Sequence, residues 1–247
     1  MNRAVVPISG GLDSTVILYN VTKHCDFDEI YCISFDYGQR HSKELDCARH
    51  HADKLGVCHK IIHLDFFKEI NTSSLTNSDI DVAKTRDVLG DAQTVNYVPF
   101  RNQMILSICC AYAETVGANV VYHGAAQVDT QAGYWDGSPE FLYAINNITA
   151  LNRKHRIKIE APLINKSKAE IIEWGTDLDV SFSKTWTCYE GKEKSCGECP
   201  ACSSRIKGFL DAGLPDPLPY ARDITWEDLL DGTDISQTWV REGKHEN

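Results

Sequence analysis

Arg3-Ala-Val-Val-Pro-Ile-Ser-Gly-Gly-Leu-Asp-Ser-Thr-Val-Ile-Leu-Tyr19 decides how the rest of the chain is read. Ala4 to Ile8 are mostly apolar and predict a buried strand. Ser9 to Thr15 predict a loop with two adjacent glycines, and Val16 onward predicts a helix. Strand, Gly-Gly turn and helix make an anion cradle. Gly10 and Gly11 let backbone N–H groups come close to a phosphate. The helix N-terminus adds unpaired N–H groups and the positive end of its dipole. Asp13, Ser14 and Thr15 are candidate caps of that helix, and they offer hydroxyls to a phosphate or a carboxylate to Mg²⁺. A Gly-rich turn that merely starts a helix is the plainer reading of a bare Gly-Gly, and the full pattern weighs against it.

The residue order excludes two commoner phosphate loops. There is no Gly-x-x-x-x-Gly-Lys and no Gly-x-Gly-x-x-Gly. Ser9-Gly-Gly-Leu-Asp-Ser-Thr15 instead resembles the pyrophosphate loop of ATP pyrophosphatases. That resemblance implies cleavage of ATP between its α- and β-phosphates, giving AMP and pyrophosphate.

Composition bounds the rest. The chain has 247 residues, 43% of them hydrophobic, enough for one large or two small domains. No apolar run reaches the ~20 residues of a membrane span, and the start runs straight into a strand, so a cytoplasmic protein is expected. A net charge of −10 disfavours nucleic acid as the main partner, because phosphate backbones need basic patches.

The chain then alternates strands and helices. Ile30 to Phe35 and His59 to Leu64 predict strands, and Ser42 to Leu55, ending at Gly56, predicts the helix between them. This β-α-β-α-β order argues a doubly wound α/β fold, a parallel sheet of about five strands with ligands at the strand C-termini. Asn71 to Thr94 is polar and weakly periodic, either a surface loop or a lid. Val98-Pro-Phe-Arg-Asn102 precedes a helix over Gln103 to Val116, and Arg101 is either a solvated charge or a group facing the crevice. Asn119 to His123 predicts a fourth strand ending at Gly124, and Asp129 to Ser138 a loop. Pro139 opens a helix to about Arg153, and Ile157 to Ala161 is a fifth strand candidate. Ser167 and Glu170 form a capping box for the next helix. The expected division is a nucleotide-binding domain over 1–184, a cysteine-rich segment over 185–212, and an acidic, Pro-containing tail over 213–247 that includes Trp226 and Trp239.

Of ten cysteines, six are dispersed and read as small buried hydrophobes. The others form Cys188-x7-Cys196-x2-Cys199-x2-Cys202. Four thiolates at short spacing suit tetrahedral Zn²⁺, with Zn–S bonds of about 2.3 Å. Four protein ligands leave no position for substrate, which favours a structural role. The rival is a 4Fe–4S cluster, and metal analysis of anaerobically purified protein separates the two.

Taken together, Ser9 to Thr15, Phe35-Asp-Tyr-Gly-Gln-Arg-His41, Val98-Pro-x-Arg-Asn102, Pro162-Leu-Ile, Lys168-Ala-Glu170, Thr187-Cys-Tyr189 and Cys196-Gly-x-Cys-Pro-x-Cys202 resemble the 7-cyano-7-deazaguanine synthase family over about residues 3–212. The resemblance implies an ATP-dependent, zinc-containing homodimer. It would adenylate the carboxylate of 7-carboxy-7-deazaguanine, let ammonia attack, and dehydrate the amide to a nitrile. Carried onto this chain, it implies Asp13, Arg101 and Lys168 as catalytic. Ile8 to Thr15, Phe35, Arg101 and Gly124 would contact ATP, with Phe35 at the adenine. Asp13 or Asp36 would assist Mg²⁺. Gln39, Arg40, Asn102, Asp129, Gly133, Tyr134, Trp135 and Asp136 would form the substrate site. There Asp129 or Asp136 would accept hydrogen bonds from the guanine-like edge, and Tyr134 or Trp135 would stack on the ring.

One stretch departs from the family, whose loop reads Asp-x-Ser-Gly-Tyr-Pro-Asp-Cys-Arg. Here Asp129-Thr-Gln-Ala-Gly-Tyr-Trp-Asp-Gly-Ser138 has one extra residue before Gly133-Tyr134, keeps Gly133, Tyr134 and Asp136, and replaces Pro, Cys and Arg with Trp135, Gly137 and Ser138. A homologue that stops at the amide, or conjugates the activated acyl group to another amine such as a protein N-terminus, is therefore an alternative. A tRNA-thiolating enzyme and a non-catalytic nucleotide-binding module complete the alternatives.

Overall fold

The computed structural model describes residues 1–40, 43–70, 73–77, 79–85, 95–131 and 133–225. His41, Ser42, parts of Asn71 to Thr94, Ala132 and the tail with Trp226 and Trp239 lie outside the described residues. Five strands form one sheet, paired in parallel throughout, in the order β3-β2-β1-β4-β5. They are β1 (Arg3–Pro7), β2 (Glu29–Asp36), β3 (Cys58–His63), β4 (Val120–Tyr122) and β5 (Lys158–Glu160). The chain builds outward from β1 to β3 on one side, then returns to add β4 and β5 on the other. The strand order therefore reverses between β1 and β4, which opens a crevice at their C-terminal ends.

Alternation along β1 divides the core. Ala4 and Val6, with Ile8 beyond the strand, pack on one face with α1 (Leu12–His24), Ala48 of α2 (Lys43–Leu55) and Ile171 and Ile172 of α7 (Lys168–Asp177). Val5 points the other way and packs with Phe67 of α3 (Phe67–Ile70), Leu106, Cys109 and Ala113 of α4 (Arg101–Val116) and Phe141 and Ile145 of α6 (Pro139–Thr149). Helices on both faces give the doubly wound α/β architecture that the strand–helix order predicts. No helix among the described residues is long and apolar enough to cross a membrane.

Several boundaries differ from the expectation. Helix α1 starts at Leu12, not Val16, with Gly11 as its N-cap and no side-chain cap. Asp13, Ser14 and Thr15 sit inside the first turn, and the Thr15 hydroxyl donates to the Gly11 carbonyl at 2.7 Å. Helix α4 begins at Arg101 because Phe100, at φ 54, turns the chain into it. Residues 129–138 are not plain loop: α5 (Gln127–Gln131) and a single turn at Trp135–Gly137 lie there. Helix α6 ends at Thr149, short of Arg153. The Ser167–Glu170 capping box is present in full.

A third cluster gathers Trp186, Cys188, Cys199 and Cys202 with Ile206 of α8 (Pro200–Asp211), Leu218 and Tyr220. Arg205 holds it together and is almost fully buried. Its guanidinium donates to Asp216 Oδ2 at 2.6 Å and Oδ1 at 3.0 Å, to the Thr185 and Thr187 hydroxyls, and to the Phe182 carbonyl. All five donors are used. Tyr220 donates to the same carboxylate at 2.6 Å. Residues 213–220 are thereby tied to the cysteine-rich segment.

Candidate active site

The two glycines of the opening stretch do different work. Gly10, at φ +82, is pressed against the start of α2: a Cβ there would lie 2.0 Å from the Glu44 carbonyl oxygen and 2.8 Å from the Ala48 nitrogen. Gly11 caps α1 in extended conformation at φ −76. Its N–H donates to the Ser9 hydroxyl at 3.2 Å, and the Ser9 N–H donates to Ser14 Oγ at 3.2 Å. The loop is thus braced by its own hydroxyls. The N–H groups of Leu12, Asp13 and Ser14 belong to a first turn that has no intrahelical acceptor for them. The Trp186 N–H donates to the Gly10 carbonyl at 2.9 Å, which joins the cysteine-rich segment to the loop.

A cleft of about 290 Å³ opens from this loop at the strand reversal. Ile8, Ser9, Gly11, Leu12, Asp13 and Ser14 form its floor, and Phe35, Gln39, Arg101, Asn102, Gly124 and Asp129 contribute to the walls. A side chamber of about 80 Å³ adjoins it, lined among others by Tyr97, Tyr134 and Asp136. Arg101, Asn102, Asp129 and Tyr189 line both.

Lys168, in the first turn of α7, reaches Asp13 with Nζ 2.7 Å from each carboxylate oxygen. Arg101 donates to the Tyr37 hydroxyl at 3.4 Å. Desolvation works against its charge, but Tyr37, Tyr189 and Asp136 outweigh that, so the guanidinium is held above its ordinary range. Asp136 is buried at 3% exposure, and its carboxylate makes no hydrogen bond among the described residues. Its backbone carbonyl accepts from His123 Nε2 at 3.1 Å. Tyr97 and Tyr134 stack with centroids 6.2 Å apart and planes 24° apart.

Other expected site residues stand elsewhere. Gly10 and Thr15 support the loop from behind. Arg40 turns away and donates to the carbonyls of Ser74, Asn77 and Ile80, so it braces residues 73–77 and 79–80. Gly133 is exposed. Trp135 packs its ring on Phe100 and Phe141 and donates to the Tyr97 hydroxyl at 3.0 Å. It therefore backs the Tyr97–Tyr134 stack and does not line either chamber. Asp36 accepts from the Gly38 N–H and pairs with His63 at 3.2 Å, outside the cleft.

Three groups to which the sequence reading gives no role in the site line the cleft: Glu44, His123 and Tyr189. Burial pushes the Glu44 carboxyl up to about 8, against the pull of Arg101. Burial lowers the His123 imidazole below its ordinary value.

The sulfur atoms of Cys188, Cys196, Cys199 and Cys202 all lie within 4.8 Å of one another. The Cys196 and Cys202 sulfurs are 3.9 Å apart, close to the roughly 3.8 Å edge of a tetrahedron with 2.3 Å Zn–S bonds. Four sulfurs gathered this closely fit a four-coordinate ion, which binds cysteine as the thiolate.

Comparison with known proteins decides the family. The family model described as queuosine biosynthesis protein QueC matches residues 3–213. The chain belongs to the QueC family. Proteins named 7-cyano-7-deazaguanine synthase include one from Thermoplasma acidophilum, 42% identical over 91% of this chain and 94% of that protein, and one from Clostridium kluyveri, 41% identical over 89% and 98%. Among solved structures, the tRNA thiolase NcsA from Methanococcus maripaludis, with its 4Fe–4S cluster, matches at TM-score 0.50 and 16% identity, covering all of this chain and 74% of that one. That likeness is one of fold, the adenine nucleotide alpha hydrolase-like α/β arrangement. This QueC-family chain thus has a parallel five-stranded sheet and a four-cysteine group able to hold a metal.

Proposed function

We propose that the chain adenylates the carboxylate of 7-carboxy-7-deazaguanine with ATP and converts it, with ammonia, through the amide to 7-cyano-7-deazaguanine. One observation carries the reading: a phosphate-loop cleft opens beside a chamber whose buried carboxylate, Asp136, makes no hydrogen bond among the described residues. The names of relatives more than 40% identical support it.

A carboxylate is a poor acyl donor because its oxide is a poor leaving group. Transfer of AMP gives a mixed anhydride that an amine can attack. Catalysis then rests on holding two anions together and stabilising developing charge. The first-turn N–H groups of α1 receive phosphate oxygens, and Phe35 faces the adenine. Arg101, common to both chambers, spans the carboxylate and the α-phosphate. Lys168 positions Asp13 through their ion pair. Asp13 is the carboxylate that would hold the Mg²⁺ accompanying ATP, and Asp36 is engaged elsewhere. Bound Mg²⁺ neutralises phosphate charge. Asp136 accepts hydrogen bonds from the ring N–H and exocyclic amine of the deazapurine, and Tyr134 stacks on the ring. The four cysteines hold Zn²⁺ in a structural role, and the active protein is a homodimer.

The test is incubation with ATP, Mg²⁺, ammonium and 7-carboxy-7-deazaguanine, with products read by mass. The nitrile base, AMP and pyrophosphate are expected. Accumulated amide, or mass added to a protein amine, would assign the reaction to one of the alternatives, and no AMP at all would reject adenylation. Asp13→Ala should abolish pyrophosphate release.

A further inference from the structure

Each half of the proposed reaction leaves a proton problem on nitrogen. When ammonia attacks the acyl adenylate, an N–C bond forms, the C–O bond to AMP breaks, and AMP leaves with the electron pair. The nitrogen, cationic in the adduct, must lose one proton to become the amide. In the second half the amide oxygen attacks the α-phosphorus of another ATP and pyrophosphate leaves. Two N–H protons are then lost as AMP departs and the C≡N bond forms. A base beside the reacting carbon serves both halves.

The reacting carbon must sit where a substrate in the side chamber meets ATP in the main cleft. Of the carboxylates lining the two spaces, Asp129 is the one common to both. Asp13 and Glu44 line the main cleft alone, and Asp136 the side chamber alone. His123 lines the main cleft, and its Nε2–H is committed to the Asp136 carbonyl.

We infer that Asp129 is the base that takes the protons shed by the attacking nitrogen, and that recognition of the deazapurine edge falls to Asp136. The inference rests on the reading given under Proposed function. Asp129 Oδ2 is fixed by the Ala126 N–H at 2.8 Å. Oδ1 makes no hydrogen bond among the described residues and is the accepting atom. The Asp129 Cβ is pressed close against Gly137, where an added Cβ would come within 2.6 Å, so the side chain has little room to swing. Desolvation raises its carboxyl above the ordinary range, and Asp13 adds to the rise. Lys168, the Ala126 N–H and Arg101 oppose it.

Asp129→Asn tests this, because the amide oxygen still accepts from the Ala126 N–H while the basic oxygen is lost. Two rates are compared with the full chain. The first is exchange of labelled pyrophosphate into ATP, dependent on 7-carboxy-7-deazaguanine and measured without ammonium. The second is amide formation with ammonium. Exchange should stay within about threefold of the unsubstituted chain, and amide formation should fall at least about 100-fold. Loss of exchange in step with amide formation would overturn the inference and return Asp129 to substrate binding or adenylation. Unchanged amide formation would overturn it as well. If the unsubstituted chain shows no exchange that depends on the acid, the functional reading itself fails and the inference falls with it.

Discussion

Replacing Gly10 with Ala should unfold the cradle rather than merely crowd it. The backbone there has φ +82, a conformation that costs an L-residue with a side chain about 1–2 kcal/mol. The new methyl would also stand 2.0 Å from the Glu44 carbonyl oxygen and 2.8 Å from the Ala48 nitrogen. Both are main-chain atoms of α2 and cannot rotate away, so the helix must shift by an ångström or more. Overpacking of that kind costs about 1–3 kcal/mol, for a total of about 2–5 kcal/mol. Gly11→Ala is the internal control. Its φ of −76 suits any residue, and its Cβ would first meet the Ser9 hydroxyl at 3.1 Å, a side chain able to yield. That substitution should cost no more than about 1 kcal/mol, since the stiffer unfolded chain offsets part of the crowding. Urea unfolding gives the two stabilities, and calorimetric titration with ATP gives the binding loss that should accompany Gly10→Ala. Equal stabilities for the two variants would refute the division of labour between the glycines.

Two further outcomes follow from buried polar groups. Arg205→Met leaves the Asp216 carboxylate buried without its charge partner and should cost about 3–5 kcal/mol in urea unfolding. The double variant Arg205→Met with Asp216→Leu should recover part of that loss, and a single variant within 1 kcal/mol of wild type would contradict the network. His51 is fully buried, with Nδ1 accepting from the Tyr19 hydroxyl at 3.0 Å and Nε2 donating to the Lys184 carbonyl at 3.1 Å. Burial, with nearby His50, depresses it to about 4. The unfolded chain binds this proton first, so the stability contribution is full above pH 6.5 and is lost as pH falls toward 4, up to about 3 kcal/mol. His51→Gln should flatten the difference between unfolding free energies at pH 7 and pH 4.5, and an unchanged pH slope would count against the assignment.

The sheet and the loop were legible because their signals are local. Five apolar residues, two glycines and a helical period occupy one continuous stretch, and the β-α alternation repeats the message. The start of α1 was misplaced for a physical reason. Asp13, Ser14 and Thr15 are good caps, but here the extended Gly11 serves as cap and Thr15 bonds back to its carbonyl. Trp135 carried a stacking signal in sequence, yet its ring went to Phe100 and Phe141. Nothing local distinguishes an aromatic that lines a chamber from one that backs it. Arg205 was invisible because its partners, Phe182, Thr185, Thr187 and Asp216, are spread on either side of it and share no spacing rule. Glu44 and His123 became visible only when the sheet brought the ends of β1, β2 and β4 together.

That same convergence puts the two aspartates of the divergent stretch in different surroundings. From sequence, Asp129 and Asp136 are interchangeable acceptors in one loop. In the fold, Asp129 belongs to a helical turn fixed by the Ala126 N–H and faces both spaces, whereas Asp136 lies in the following turn at the back of the smaller one. The His123 bond to the Asp136 carbonyl anchors that turn to the end of β4, one residue before Gly124 in the main cleft. Under the proposed roles, a substitution in this loop would act on recognition or on proton transfer according to which turn it loads. Of the departures from the family pattern, Trp135, Gly137 and Ser138 fall around the Asp136 turn, whereas the one extra residue lies between Asp129 and Gly133. Ser138 caps α6 through the Phe141 N–H, and Trp135 braces Tyr97. Under the proposed reading, the substitutions around Asp136 therefore bear on the support of the side chamber, and the extra residue bears on the Asp129 end of the stretch, while Arg101 stays at the junction of the two spaces.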